Sequence, residues 1–168
     1  MTDLPEIYLQ PGEWELVRTP TVLKTVLGSC VGITFRAPRL GIGSLCHPML
    51  PHHAAHRHAH SQTAAIGRYV DSIIVELART YDHLGVRRGE VEVKLFGGAD
   101  VLATARKGAT VGKLNADTAV RILEEEGFQI AASHLGGSCG VFIEFHTGSG
   151  DVFLRRLSHM DAVTLART

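Results

Sequence analysis

Residues 66–85 read IGRYVDSIIVELARTYDHLG. Ile66, Tyr69, Val70, Ile73, Ile74, Leu77, Tyr81 and Leu84 recur at spacings of 3, 1, 3, 1, 3, 4 and 3. That is one apolar stripe on a helix of period 3.6, and Gly85 suits the position just past its end. A helix with a single apolar face must bury it against another layer, and the flanking sequence supplies strands for that layer. On the C-terminal side, Glu90 to Leu95 alternates polar and apolar, with Val91, Val93 and Leu95 on one face, until Gly97-Gly98 breaks it. A second helix is expected to begin near Asn115 as N-cap, with Asp117 in its first turn and Ala116, Ala119, Val120 and Leu123 as its apolar face, and Gly127 stops it. Three strand-like runs follow: 129–132, 141–145 and 152–157, the last two joined by the turn Thr147-Gly148-Ser149-Gly150.

On the N-terminal side, the first forty-six residues read as short strands separated by turns, with 31–35 and 41–46 as strands split at Ala37-Pro38-Arg39. Two long helices among many short strands predict an α/β or α+β layered domain. Regular βα alternation is absent, and the glycine pairs at 97–98 and 136–137 fit neither GxGxxG nor a P-loop, so a doubly wound nucleotide-binding fold is not expected.

Composition narrows the function classes. The chain has 168 residues, the size of one domain, with hydrophobic residues at 45% and charged residues at 20%. Lys+Arg and Asp+Glu are both 17, so no global basic field argues for nucleic acid or an acidic membrane surface. No apolar run approaches a membrane span, and the start MTDLPEIYLQPGEWE lacks a basic n-region and an apolar h-region, so a cytoplasmic location is expected. Cys30, Cys46 and Cys139 are odd in number and unrelated in spacing, which predicts free thiols rather than a disulfide framework.

Three short segments could carry chemistry, of which one, Lys94-Leu95-Phe96-Gly97-Gly98-Ala99 followed by Val111-Gly112-Lys113-Leu114-Asn115, reads as a strand end, a glycine turn and a helix cap ahead of a direct catalytic role. In Leu27-Gly28-Ser29-Cys30-Val31-Gly32, a cysteine follows Gly-Ser at the mouth of a strand. A nucleophile needs such a turn, whose backbone N–H groups can face a developing oxyanion. A small cysteine beside a strand also suits an inert core position. In Gly41-Ile42-Gly43-Ser44-Leu45-Cys46-His47-Pro48, His47 ends an apolar strand, a place for a base or for a histidine satisfied by a backbone carbonyl. A hairpin-like return between Cys30 and His47 could set them side by side. Beyond them, PHHAAHRHAHSQ at 51–62 is a histidine-rich loop with His52, His53, His56, His58 and His60. It lacks the cysteine or carboxylate partners of a structural zinc site, and reads as a solvated loop ahead of a metal site.

Taken together, LGSCVGITF at 27–35, GIGSLCHPMLP at 41–51, RYVDSIIVEL at 68–77, VEVKLFGGAD at 91–100, VGKLNADTAVRILEEEGFQI at 111–130, GGSCGVFIEF at 136–145 and TGSGDVFLRRL at 147–157 resemble the CheD family of chemoreceptor glutamine deamidases. The order and spacing agree over about 12–157, within a single domain of 1–168. The resemblance implies a three-layer α/β/β sandwich with two main helices. It also implies a hydrolase that converts glutamine side chains of methyl-accepting chemotaxis receptors to glutamate, releasing ammonia, with no cofactor. By motif the nucleophile falls on Cys30 and the histidine on His47. The assisting threonine, a few residues before the cysteine, falls on Thr25. Implied partners are the chemoreceptors as substrate and a CheC-type phosphatase, with neither nucleic acid nor membrane insertion. Two features depart from the family pattern: Val141 stands where the family commonly has Arg after its second Gly-Gly turn, and the five histidines after Pro51 are additional.

Overall fold

The computed structural model describes residues 3–52, 66–101 and 108–158. In chain order these form β1 (Glu6–Tyr8), β2 (Trp14–Val17), β3 (Val22–Leu27), β4 (Val31–Ala37), β5 (Ile42–Cys46), α1 (Val70–His83), β6 (Glu92–Gly97), α2 (Val111–Glu125), β7 (Ile130–Leu135), β8 (Val141–His146) and β9 (Val152–Arg156). The strands make two sheets, a five-stranded one in the order β2-β5-β4-β6-β7 and a four-stranded one in the order β1-β3-β8-β9.

Two apolar clusters define three layers. One joins the inner faces of α1 and α2 (Ile73, Leu77, Tyr81, Ala119, Leu123) to Val31, Ile33, Phe35, Val93 and Leu95 of the five-stranded sheet. The other fills the space between the sheets with Leu23, Leu27, Leu45, Phe96, Ile143 and Phe145. The five-stranded sheet is therefore the middle layer, which is why β5 is buried at all five positions and β4 at all but Arg36. The two-residue period of a strand sends alternate side chains to the two clusters. This is the expected α/β/β layering.

Most expected elements are present with shifted ends, and each shift has a local cause. The first helix starts at Val70 rather than Ile66, because Tyr69 is extended and Ile66–Arg68 forms a separate 3-10 turn. The turn after Ala37 is a 3-10 helix, Pro38–Leu40, closed by Gly41. The strand expected from Glu90 begins at Glu92, since Arg88–Glu90 is a 3-10 turn.

The largest departure is α2. Asn115 is not its N-cap. The helix starts at Val111, and the hydroxyl of Thr110 accepts the Lys113 N–H at 3.2 Å as the cap. Asp117 accordingly lies beyond the first turn, where it pairs with Lys113. Gly112 disguised this start, because glycine is a poor helix former. It is required by packing: a Cβ there would sit 2.3 Å from the Ala99 carbonyl oxygen and 2.7 Å from that of Gly98. Among the described residues, no helix is long and apolar enough to cross a membrane.

Candidate active site

The fold brings Cys30, His47 and Thr25 to one end of the space between the sheets. The β4–β5 ladder pairs Ile33 with Cys46 and is prolonged by the Val31 N–H, which donates to the Pro48 carbonyl at 3.3 Å. In that register His47 stands opposite Gly32, and Cys30 is the diagonal neighbour on the same face, within reach of long side chains. Leu45 on this face packs between the sheets, and so does Cys30. Gly32 lets Leu27 and Ile143 pack closely over this face, since a Cβ there would meet Leu27 Cδ1 at 2.8 Å and Ile143 Cδ1 at 3.2 Å. Cys46 points the opposite way, into the helix-side core, where burial drives its thiol far above the usual range.

Thr25 reaches His47 from the other sheet. It lies on β3, fully buried, with its Oγ1 2.7 Å from His47 Nδ1 and 2.8 Å from the Leu9 carbonyl oxygen. These two contacts fix the imidazole tautomer. The hydroxyl has one proton, and the Leu9 carbonyl can only accept, so the hydroxyl donates there and accepts from Nδ1–H. The lone pair of the neutral ring is thereby placed on Nε2. That atom is buried and has no hydrogen-bond partner within the described residues. A buried imidazole with its basic nitrogen unpaired is a costly arrangement for a structural residue. It is a useful one for a proton acceptor.

Burial controls the electrostatics of both groups. Desolvation pushes His47 down to about 4, opposed by the Leu9 carbonyl. Desolvation also raises the Cys30 thiol, opposed by its own backbone N–H. Both shifts favour a neutral thiol beside a neutral imidazole at rest.

The His47 shift has a measurable consequence for stability. The unfolded chain takes up this proton near the ordinary histidine value of 6.5, whereas the folded chain resists it until about pH 4. Between those values the unfolded state binds more protons, so stability falls with falling pH. The contribution is complete above about pH 6.5 and is lost towards pH 4, with a total of roughly 3 kcal/mol. Urea titrations of wild type and His47→Gln at intervals from pH 7 to 4 should give a shallower acid decline for the variant. Parallel declines would mean that His47 is not held neutral.

The Cys30 turn is fastened through its carbonyls. Gly28 O accepts the Ala99 N–H at 2.9 Å, and Cys30 O accepts the Gly98 N–H at 2.8 Å. Ser29 O accepts Asn115 Nδ2 at 2.9 Å. Three successive carbonyl oxygens are thus engaged by protein donors. Gly97, at φ +96°, allows the strap to pass closely: a Cβ there would lie 2.3 Å from Cys30 O. The glycine pair at 97–98 marked a turn in the sequence, and its contact with the cysteine turn depends on sheet pairing between β4 and β6. Leu9 carried no signal for the site and Asn115 read as a helix cap, since their roles arise from a backbone carbonyl and a side chain brought in from distant segments.

The histidine-rich loop is only partly placed. His52 lies at the surface with Nδ1 3.4 Å from Asp71 Oδ2, and His53, His56, His58 and His60 fall outside the described residues. Cys139 is half-buried on the turn before β8. Val141 begins β8 inside the inter-sheet core.

Comparison with known proteins places the chain in a family. The family model described as CheD chemotactic sensory transduction matches residues 49–156, beginning just after His47. Relatives extend the similarity across the N-terminal part. The "Probable chemoreceptor glutamine deamidase CheD 2" of Geobacter sulfurreducens is 36% identical over 159 residues, covering 95% of this chain and 94% of that protein. The "Probable chemoreceptor glutamine deamidase CheD" of Maridesulfovibrio salexigens is 38% identical over 164 residues, covering 95% and 96%. The chain belongs to the CheD family.

Proposed function

We propose that this chain is a protein-glutamine deamidase acting on chemoreceptors, with Cys30 as nucleophile, His47 as its base and Thr25 orienting the imidazole. The observation that carries the chemistry is the buried His47, held through Nδ1 by Thr25 and left with an unpaired Nε2. The names of the relatives supply the substrate.

As Cys30 Sγ attacks the glutamine carboxamide carbon, its proton passes to His47 Nε2. Because burial favours the neutral forms of both groups, proton transfer accompanies attack, and His47 acts as a general base rather than as the partner in a resting ion pair. The S–C bond forms, and negative charge develops on the amide oxygen. The engaged carbonyls hold the 28–30 turn in place, and its backbone N–H groups are the donors assigned to that charge. His47 then returns the proton to the nitrogen, the C–N bond breaks and ammonia leaves. Water, giving a proton to the same imidazole, cleaves the thioester to glutamate and restores the thiol.

A free thiol of this kind fits the reducing cytoplasm. The family resemblance adds a CheC-type phosphatase as a second partner. The functional test is ammonia release on mixing the chain with a chemoreceptor. Release that depends on receptor supports the reading, and none from any chemoreceptor of the same cell would refute it.

A further inference from the structure

We propose that Asn115 is a positioning residue that sets the distance between the Cys30 turn and the His47 segment, an inference that rests on the deamidase reading. Its side chain is wholly buried on α2, in the helix layer behind the middle sheet. Nδ2 donates two hydrogen bonds, to Ser29 O at 2.9 Å and to Met49 O at 2.9 Å. Ser29 immediately precedes the candidate nucleophile and Met49 follows the candidate base by two residues. One amide group therefore ties together the two segments whose separation governs proton transfer.

The backbone ladder between the segments is weak at this point. Its outermost bond, from the Val31 N–H to Pro48 O, is 3.3 Å long, and Pro48 has no N–H with which to return one. The amide orientation follows from chemistry: both neighbours are carbonyl oxygens, so the nitrogen must face them. Oδ1 is then buried with no partner in the described residues. Leaving a buried acceptor unpaired is unfavourable, and the structure accepts it at the position that clamps the two loops. α2 is anchored close by, with Gly112 against the Gly98 and Ala99 carbonyls, so the clamp shares a rigid support with the strap that holds Gly28 and Cys30.

Reacting groups displaced by about 1 Å can lose on the order of 100-fold in rate. Asn115→Ala should lower kcat by roughly 10- to 100-fold on that basis, with KM changed little. Asn115→Asp keeps the volume while removing N–H donors, and should behave alike. Iodoacetamide kinetics at Cys30, followed by peptide mass against pH, give a readout that needs no receptor. In the wild-type background His47→Ala should slow Cys30 alkylation near neutral pH. In the Asn115 variants the same change should have little further effect, because the two groups are already uncoupled. Leu123→Ala, a buried core truncation on the same helix, serves as the stability control. It should lower the melting temperature yet keep the His47 dependence of alkylation.

Should Asn115→Ala fold poorly, Asn115→Asp carries the same comparison. If either folded Asn115 variant retained the full His47 dependence and a wild-type kcat, or merely matched Leu123→Ala, the positioning role would be overturned. A wild-type chain that released no ammonia would refute the deamidase reading instead, while the alkylation cycle would still decide the role of Asn115.

Discussion

Cys30→Ala should release no ammonia from a chemoreceptor above the uncatalysed background, whereas Cys46→Ala and Cys139→Ala should keep turnover within a few-fold of wild type. The three thiols differ by place rather than by chemistry. Cys30 lies at the end of β4 on the same face as His47, at a turn whose carbonyls are all engaged. Cys46 faces the helices, with its Sγ 3.7 Å from the Ile33 carbonyl oxygen. Its burial drives the thiol so far up that a thiolate is not accessible near neutral pH. Truncating it should cost stability through the cavity left behind rather than chemistry. Cys139 lies across the β3–β8 ladder at the turn before Val141, outside the Thr25–His47 contact. Ammonia assays on the three variants, normalised to folded protein by circular dichroism, decide this. Wild-type turnover in Cys30→Ala would refute the thiol mechanism.

His47→Ala should reduce turnover by about 100- to 10,000-fold, the usual worth of a positioned general base. Thr25→Val should cost less. It keeps shape on a strand but removes the acceptor for Nδ1–H and the donor for Leu9 O. The loss of such buried hydrogen bonds is worth about 1–3 kcal/mol, or roughly 5- to 150-fold in rate. The order of the two effects matters more than either size, because His47 moves the proton while Thr25 only fixes the ring. The pH profile carries the same logic. With His47 held down to about 4, its acid limb in kcat/KM should fall near pH 4 rather than near the ordinary 6.5, and Thr25→Val should move it. An unchanged profile and equal losses in both variants would contradict the assigned roles.

Much of the layering was legible because it is written in periodicity. The stripe from Tyr69 to Leu84 could only be a helix seeking a layer, and the alternation at 91–95 could only be a strand facing one. The second sheet was harder to read. β1 and β2 are three and four residues long, and β1 joins β3 in parallel across an intervening strand, a pairing no local pattern announces. Element ends moved wherever a 3-10 turn met a helix or strand, as at Ile66–Arg68 and Arg88–Glu90.

Cys30 and His47 stood out as a small-residue turn and a strand-end histidine, and the resemblance singled out Thr25. The supporting contacts were illegible because they are tertiary. Asn115 had the look of a helix cap, the commonest task for asparagine near a helix start. Its actual partners are carbonyls 66 and 86 positions away in the chain. Gly112 was misleading for a related reason: it serves close approach to the Gly98–Ala99 backbone, a demand set by the neighbouring segment and not by the helix itself.

The most direct test is peptide mass mapping of a chemoreceptor from the same cell after incubation with wild-type chain and, separately, with Cys30→Ala. The account predicts that defined receptor peptides carry glutamate in place of glutamine after the wild-type incubation, that the converted amount matches the ammonia released, and that the Cys30→Ala sample retains glutamine at every such position. Receptor peptides that kept all their glutamines with the wild-type chain, or lost them equally with Cys30→Ala, would contradict it.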